Sequence, residues 1–481
     1  MNPVRIVGTV AGILLWGVAG LAAAQQPSGP DAAATRPTAV SAADIEALKS
    51  QLEALQARIA ELEAAQQARD AQLAAASQAV EAAVSTAAEQ QEAIDRNTDL
   101  LAQTRAGVGE WVGRWQWKGD LRYRNEHIDQ AFTARERNRD RIRARLGFVA
   151  RVNDTVRVEL QAATAENGDA RSSNQSLTDV NSRKALDLDL AYAEWTPNAS
   201  WRLTLGKMKY PWVRTGSFFF DGDVNPEGLA VNYQQGSSGL FAGAWVSRLS
   251  ERGSLADSNL FGMQAGWRGT FGDDTRYTLA AGYFDHGAVE GYSVIQSGGA
   301  GGFFGNTTTV DAAICRSGQS PCLANDYDVL ELLAEVQFEL AGRPLTVFAD
   351  YARNAAADYA FASPDPLRNV PPGLDTAYAV GFTYGRASNP GSWEFGYLHQ
   401  QIEKDALFAQ WIDSDFAGGA TDGSGHAIRL AYQLARNWRF SLTYMLNQTH
   451  NDVAAAVTVP VAGHVFDRDY RRLQLDLNMT Y

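Results

Sequence analysis

Arginine recurs at alternate positions in the stretch Arg137-Asn138-Arg139-Asp140-Arg141-Ile142-Arg143-Ala144-Arg145. Side chains two apart project to one side of an extended chain. Arg139, Arg141, Arg143 and Arg145 therefore make a ladder of fixed positive charge, which Lys118, Arg122 and Arg124 precede and Arg151 and Arg157 continue. A guanidinium keeps its proton at any physiological pH, so the ladder is suited to attracting and steering anions and not to acid–base catalysis. Like charges this close are tolerable when wet, or when carboxylates or anionic solutes stand opposite. A solvated charge run on an open face is the plainer reading. Ile142, Leu146 and Phe148 on the other side of the same stretch speak against it, because they require an apolar surrounding.

An acidic counterpart lies in segment 209–227, where Asp221, Asp223 and Glu227 follow the bulky run Phe218-Phe219-Phe220. Folded inward, this segment would set carboxylates against the ladder and create a transverse field that selects solutes by charge. Left outside, it would be an ordinary external loop. No catalytic set accompanies these charges. The six His are scattered, and none belongs to a nucleophile, base and orienter set. Asp413-Ser414-Asp415, followed by Gly418-Gly419, lacks the Glu a calcium loop carries at its twelfth position. Gly298-Gly299-Ala300-Gly301-Gly302 has no βαβ unit around it. Neither a cofactor nor a metal is expected. Cys315 and Cys322 are the only cysteines; in an exported chain they read as a loop disulfide, and two Cys alone make no zinc site.

The elements that would position these charges are strands. In the last stretch Leu473, Leu475, Leu477, Met479 and Tyr481 alternate with Gln474, Asp476, Asn478 and Thr480. Period two means a strand with one apolar and one polar face, which a soluble sandwich could also carry; a polar face without any apolar residue, as if it met water, favours a membrane barrel. Outer-membrane barrels typically end on such a strand with a terminal aromatic, the signal taken by the barrel-assembly machinery. Alternation begins at Trp115-Gln116-Trp117 and recurs to the end of the chain, giving sixteen strands. Their connections alternate short (153–155, 197–199, 272–274, 342–343, 388–391, 435–437) and long (125–138, 166–184, 209–227, 285–326, 354–374, 402–424, 448–469). Transmembrane barrels sort their loops this way, and closure is forced because an open edge in lipid leaves backbone groups unpaired. Trp201, Trp393, Trp438, Tyr444 and Tyr481 fall near expected strand ends, as interfacial girdles require. Sixteen strands about 4.8 Å apart and tilted about 45° enclose a bore roughly 35 Å wide, too wide for side chains to fill.

The N-terminal quarter differs. Arg5, an apolar run from Ile6 to Leu21 and Ala22-Ala23-Ala24 read as a cleaved secretory signal, 1–24. A linker rich in Pro, Ala, Ser and Thr spans 25–40. Over 41–104, Ile45, Leu52, Ile59, Leu73, Val80, Ile94 and Leu101 share one heptad position, and Leu48, Leu55 and Leu62 the other. That spacing predicts a periplasmic coiled coil, hence a homo-oligomer, with Ile and Leu at both positions leaning towards three or more strands. A second linker, 105–114, would lead into a barrel over 115–481. The net charge of −13 argues against a nucleic-acid partner.

Five stretches together resemble the "putative porin" family of Gram-negative outer membranes: Lys118-Gly119-Asp120-Leu121-Arg122-Tyr123-Arg124, Arg137 to Gly147, Asp189-Leu190-Ala191-Tyr192-Ala193-Glu194-Trp195, Gly206-Lys207-Met208-Lys209-Tyr210-Pro211, and Asp221-Gly222-Asp223-Val224-Asn225-Pro226-Glu227-Gly228. The resemblance implies a 16-stranded antiparallel up-and-down β-barrel behind an α-helical coiled coil, embedded in outer-membrane lipid. It implies passive diffusion of small hydrophilic solutes through a trimer, and it names no solute. A phosphate-like anion channel is the close variant. A barrel enzyme or a structural tether acting through the coiled coil are the rivals of another class.

Overall fold

The computed structural model describes residues 42–131, 135–165, 169–178, 180–272, 274–293, 302–360, 373–450 and 468–481. The expected signal sequence and first linker lie outside the described residues. The chain divides into two units, Met1–Gln103 and Thr104–Tyr481.

A long helix, α1, runs Ala42–Gly113. The seam residues Ile45, Leu48, Leu52, Leu55, Ile59 and Leu62 are all exposed along the lone chain. The linker expected at 105–114 is instead helical through Gly113. No proline interrupts Arg105 to Gly113, and glycines at about 1 kcal/mol each do not by themselves stop a helix.

Sixteen strands follow: β1 (Trp115–Gln130), β2 (Arg137–Arg151), β3 (Val156–Thr164), β4 (Leu186–Trp195), β5 (Trp201–Lys207), β6 (Glu227–Gln234), β7 (Gly239–Ser250), β8 (Ser258–Phe271), β9 (Thr275–Gly287), β10 (Asp328–Leu340), β11 (Arg343–Asn354), β12 (Thr376–Gly385), β13 (Trp393–Ile402), β14 (Gly423–Ala435), β15 (Trp438–Thr449) and β16 (Arg468–Thr480). Each pairs antiparallel with the next, and β16 pairs with β1 from Asp120↔Thr480 to Gln130↔Tyr470, so the sheet closes. At the closing seam Gly119 and Tyr481 exchange backbone hydrogen bonds of 3.2 and 3.1 Å. The Tyr481 ring lies where any side chain at position 119 would have to go.

The sides of the sheet are inverted relative to a water-soluble protein. Outward Leu205, Met263 and Leu332 are 62%, 58% and 58% exposed, while inward Glu126, Gln400 and Glu331 are 0%, 0% and 2% exposed. An apolar belt this extensive has a stable surrounding only in hydrocarbon. Trp201, Trp393, Trp438 and Tyr481 sit at the ends of their strands, whereas Tyr444 lies mid-strand, opposite Ile428 and Leu473. The turns 152–155, 196–200, 235–238, 272–274, 341–342, 386–392 and 436–437 share one end with Trp115 and Tyr481, and the remaining connections, most of them longer, share the other. β1 runs to Gln130, so the first connection is 131–136 and not the long loop expected over 125–138.

Candidate pore lining and constriction

The basic ladder is on the interior wall, and most of its rungs are matched by carboxylates. Arg143 Nη2 and Arg145 Nε reach Asp120 at 2.8 and 2.6 Å. Arg124 grips Asp476 at 2.6 and 2.9 Å. Arg139 and Arg472 pair with Glu126, the latter at 2.8 Å, and Arg141 Nη1 stands 3.9 Å from the same carboxylate. Lys118 and Lys209 share Glu159, and Arg157 meets Glu194 at 2.9 Å. Arg122 instead donates to the amide oxygen of Asn174 at 3.1 Å. Arg124, Arg141, Arg145 and Arg472 are each held from more than one direction, which restricts their motion.

Loop 208–226 crosses the interior. Val213 N–H bonds to Gln264 on β8 at 2.8 Å. Thr215 and Ser217 hydroxyls donate to Asp350 on β11 at 2.8 and 2.9 Å. Phe218 N–H donates to Gln400 on β13 at 2.8 Å. The loop leaves from β5 and returns to β6, so these anchors belong to the far wall. Apolar burial secures it: Phe219 is 0% exposed, Trp212 stacks on Trp245 at 4.6 Å, and Phe218 stacks on Phe416 at 5.4 Å.

Asp221 and Asp223 lie on this inward loop, whereas Glu227 does not. It opens β6, is exposed, and forms a cross-strand pair with Lys207 at 2.8 Å. The strand begins one residue after Pro226, and alternation then turns Glu227 to the same side as outward Leu229. Asp223 faces the ladder. Its carboxylate accepts from the backbone and hydroxyl of Ser173 at 2.9 and 2.8 Å, and lies 3.9 Å from Arg145.

A second loop, 403–422, enters from the opposite side and was not anticipated. Ser414 N–H donates to Asp221 at 2.8 Å, and Asp221 N–H donates to the Trp411 carbonyl at 2.9 Å. Asp415 bonds Arg472 at 2.7 Å and Arg124 at 3.0 Å. Four loop carboxyls thus meet in two states. Burial and the neighbouring Asp413 raise Asp221, and burial with Asp415 pushes Asp413 up to about 6. Burial also opposes charge on Asp223 and Asp415, yet Arg143 and Arg122 hold the first below the ordinary range, and Arg472 and Arg124 hold down the second. In the Asp413-Ser414-Asp415 run, Asp415 serves the arginines.

Two basins flank this region. One, of about 970 Å³, lies at the turn end and is lined by Arg157, Arg202, Lys209 and Arg268 against Glu159 and Glu194, with Tyr192, Tyr210 and Trp212 beside them. The other, of about 980 Å³, lies at the loop end. There Arg135, Arg137, Arg139, Arg141, Arg171, Lys404, Arg468 and Arg472 outnumber Asp169 and Asp422. Cys315 and Cys322 are joined, with Cα atoms 5.5 Å apart, in loop 288–327. On β16, Tyr470, Arg472, Gln474 and Asp476 are buried inward, and Leu473, Leu475, Leu477 and Met479 take the other side.

No curated protein sequence matches the chain significantly. Solved structures with a similar arrangement include OprB of Pseudomonas putida, at 12% identity and TM-score 0.47, covering 79% of this chain and 97% of that one. A trimer form of OmpT, an outer membrane protein of Vibrio cholerae, matches at 14% identity and TM-score 0.41, covering 76% and 99%. OmpF of Salmonella typhi matches at 10% and 0.43, covering 76% and 97%. At such scores nothing about function follows from these likenesses. A family profile is more extensive, matching residues 128–312 and 304–475. With that match over a closed, inverted barrel whose wall is charged and whose loops turn inward, the chain belongs to the "putative porin" family and is an outer-membrane channel protein.

Proposed function

We propose that the barrel is a passive diffusion channel for small hydrophilic solutes that favours anions. The observation that carries this reading is the excess of basic over acidic side chains around both basins. A low-dielectric wall lined by one sign of charge concentrates counter-ions at its mouth. Between the basins the Arg122, Arg143 and Arg145 side faces Asp223 across the constriction, a transverse field that orders dipolar solutes. The charge pairs along the wall temper the preference without abolishing it, since fixed ion pairs still present donors to a passing anion.

The short turns face the periplasm in this reading, as is usual for outer-membrane barrels. α1 would then be periplasmic, its exposed seam closed by further copies of the chain in a trimer. Reversal potentials in a potassium chloride gradient test the selectivity. The wild type should favour chloride, and joint neutralisation of Arg141, Arg143 and Arg145 to Gln should shift it towards cations. An unchanged reversal potential would count against the ladder as the selective element.

A further inference from the structure

We propose that Arg124, Arg472 and Gln474 form a binding seat for the carboxylate of a small monocarboxylate solute, a seat that Asp415 of the chain itself occupies until a solute displaces it. The inference rests on the channel reading above and adds a solute class to it. Both oxygens of Asp415 are held. Oδ1 takes a bond from Arg472 Nη2 at 2.7 Å, and Oδ2 takes bonds from Arg124 Nη1 at 3.0 Å and Gln474 Nε2 at 2.9 Å. This is how a protein recognises a planar two-oxygen anion.

The seat does not depend on Asp415 for its shape. Arg124 is fixed by its two bonds to Asp476. Arg472 is fixed by Glu126 at 2.8 Å. With Asp415 gone, both guanidiniums would keep their positions and present free donors, which is preorganisation for a replacement carboxylate. Arg472 is 2% exposed, and its Nε has no hydrogen-bond acceptor, so the seat holds a donor that Asp415 leaves unused.

Access and release are also provided. Of the seat, Arg472 lines the loop-end basin of about 980 Å³, with Ser414 beside it, so a solute in that basin reaches the seat from its Arg472 edge. Asp415 stands on a loop, and Ala417, Gly418 and Gly419 follow it with φ of 47°, 77° and 80°. Three successive left-handed residues make a natural pivot. Glu126 and Asp476 flank the seat. They oppose a second negative charge, which favours a monocarboxylate over phosphate.

An internal occupant lowers the apparent affinity of a solute by the fraction of time the seat is closed. Removing it should therefore tighten binding. The test uses the full mature chain, with Asp415→Ala and the isosteric Asp415→Asn, each shown folded by heat-modifiable migration on gels. Titration calorimetry in detergent with sodium propionate should give roughly tenfold tighter binding in either variant than in the wild type. Phosphate should not compete, and Arg472→Gln should abolish the gain. Equal propionate affinity in wild type and Asp415→Asn, or tighter binding of phosphate than of propionate, would overturn the proposal. Bilayer recording separates the two readings. Anion-selective pores with unaltered propionate affinity in the variants sink the seat alone. Tighter propionate binding in a protein that forms no pores leaves the seat standing and sinks the channel.

Discussion

Arg124 on the first strand and Asp476 on the last are register partners, joined by two parallel hydrogen bonds of 2.6 and 2.9 Å. The bond pair spans the seam where the sheet becomes a closed cylinder. Both residues are buried, so Arg124→Met leaves an uncompensated carboxylate and should cost about 3–5 kcal/mol. The temperature at which the folded band converts on heated gels should fall. Arg124→Gln combined with Asp476→Asn should recover much of the loss.

The loop that crosses the interior is held to the far wall by Asp350 and Gln400, and by Phe219 among apolar neighbours. Thr215→Ala with Ser217→Ala removes both hydroxyl donors to Asp350. Current noise should rise, and larger neutral solutes should permeate faster in liposome swelling, with the barrel itself intact. Phe219→Ala should cost about 3–5 kcal/mol, because the side chain is wholly buried and its cavity cannot be refilled by loop neighbours.

Docking between the two inward loops should depend on pH through Asp413, which faces Asp221, Asp415 and Arg429. Its folded-state pKa of about 6 stands above the ordinary value near 4. The docked form therefore binds the proton more tightly than the released form. The contribution of Asp413 is full below about pH 4 and is lost as pH rises through about 6, and the raised Asp221 adds a loss in the same direction. Gating noise should grow across that window, and Asp413→Asn should flatten the dependence. A noise that grows in the opposite direction would contradict this assignment.

The strands were legible because each separates hydrocarbon from water, so period two is written into residues such as Leu473 to Tyr481. The signal fails where the surrounding changes. β1 continues through Asn125, His127 and Asp129, outward but polar, and the reading stopped at Arg124. The basic side of the site was legible from alternation alone. Its partners were not: Asp120 lies on a neighbouring strand, Asp476 at the far end of the chain, and Asp415 in a loop whose inward course no local pattern announces. The acidic loop was singled out from Phe218-Phe219-Phe220 beside its carboxylates. Glu227 was misassigned because the strand start, one residue past Pro226, decides its side.

The seam of α1 exposes Leu48, Leu52, Leu55 and Leu62 along one chain, a surface that partner helices would cover. A peptide covering 42–104 should associate, with helicity that rises with concentration and a sedimentation mass near three copies. A monomeric peptide would remove the helix as the source of oligomer formation. Deleting 41–104 from the full chain should leave conductance in place for a channel, whereas a tether would lose its envelope phenotype.

A channel of this kind requires alternate side chains to meet lipid on one side and an aqueous bore on the other. Single-channel recording of the mature protein in planar bilayers tests this most directly. We expect discrete, ohmic conductance steps with chloride carrying most of the current. A protein that stays in solution without detergent, or inserts and conducts nothing, would contradict it.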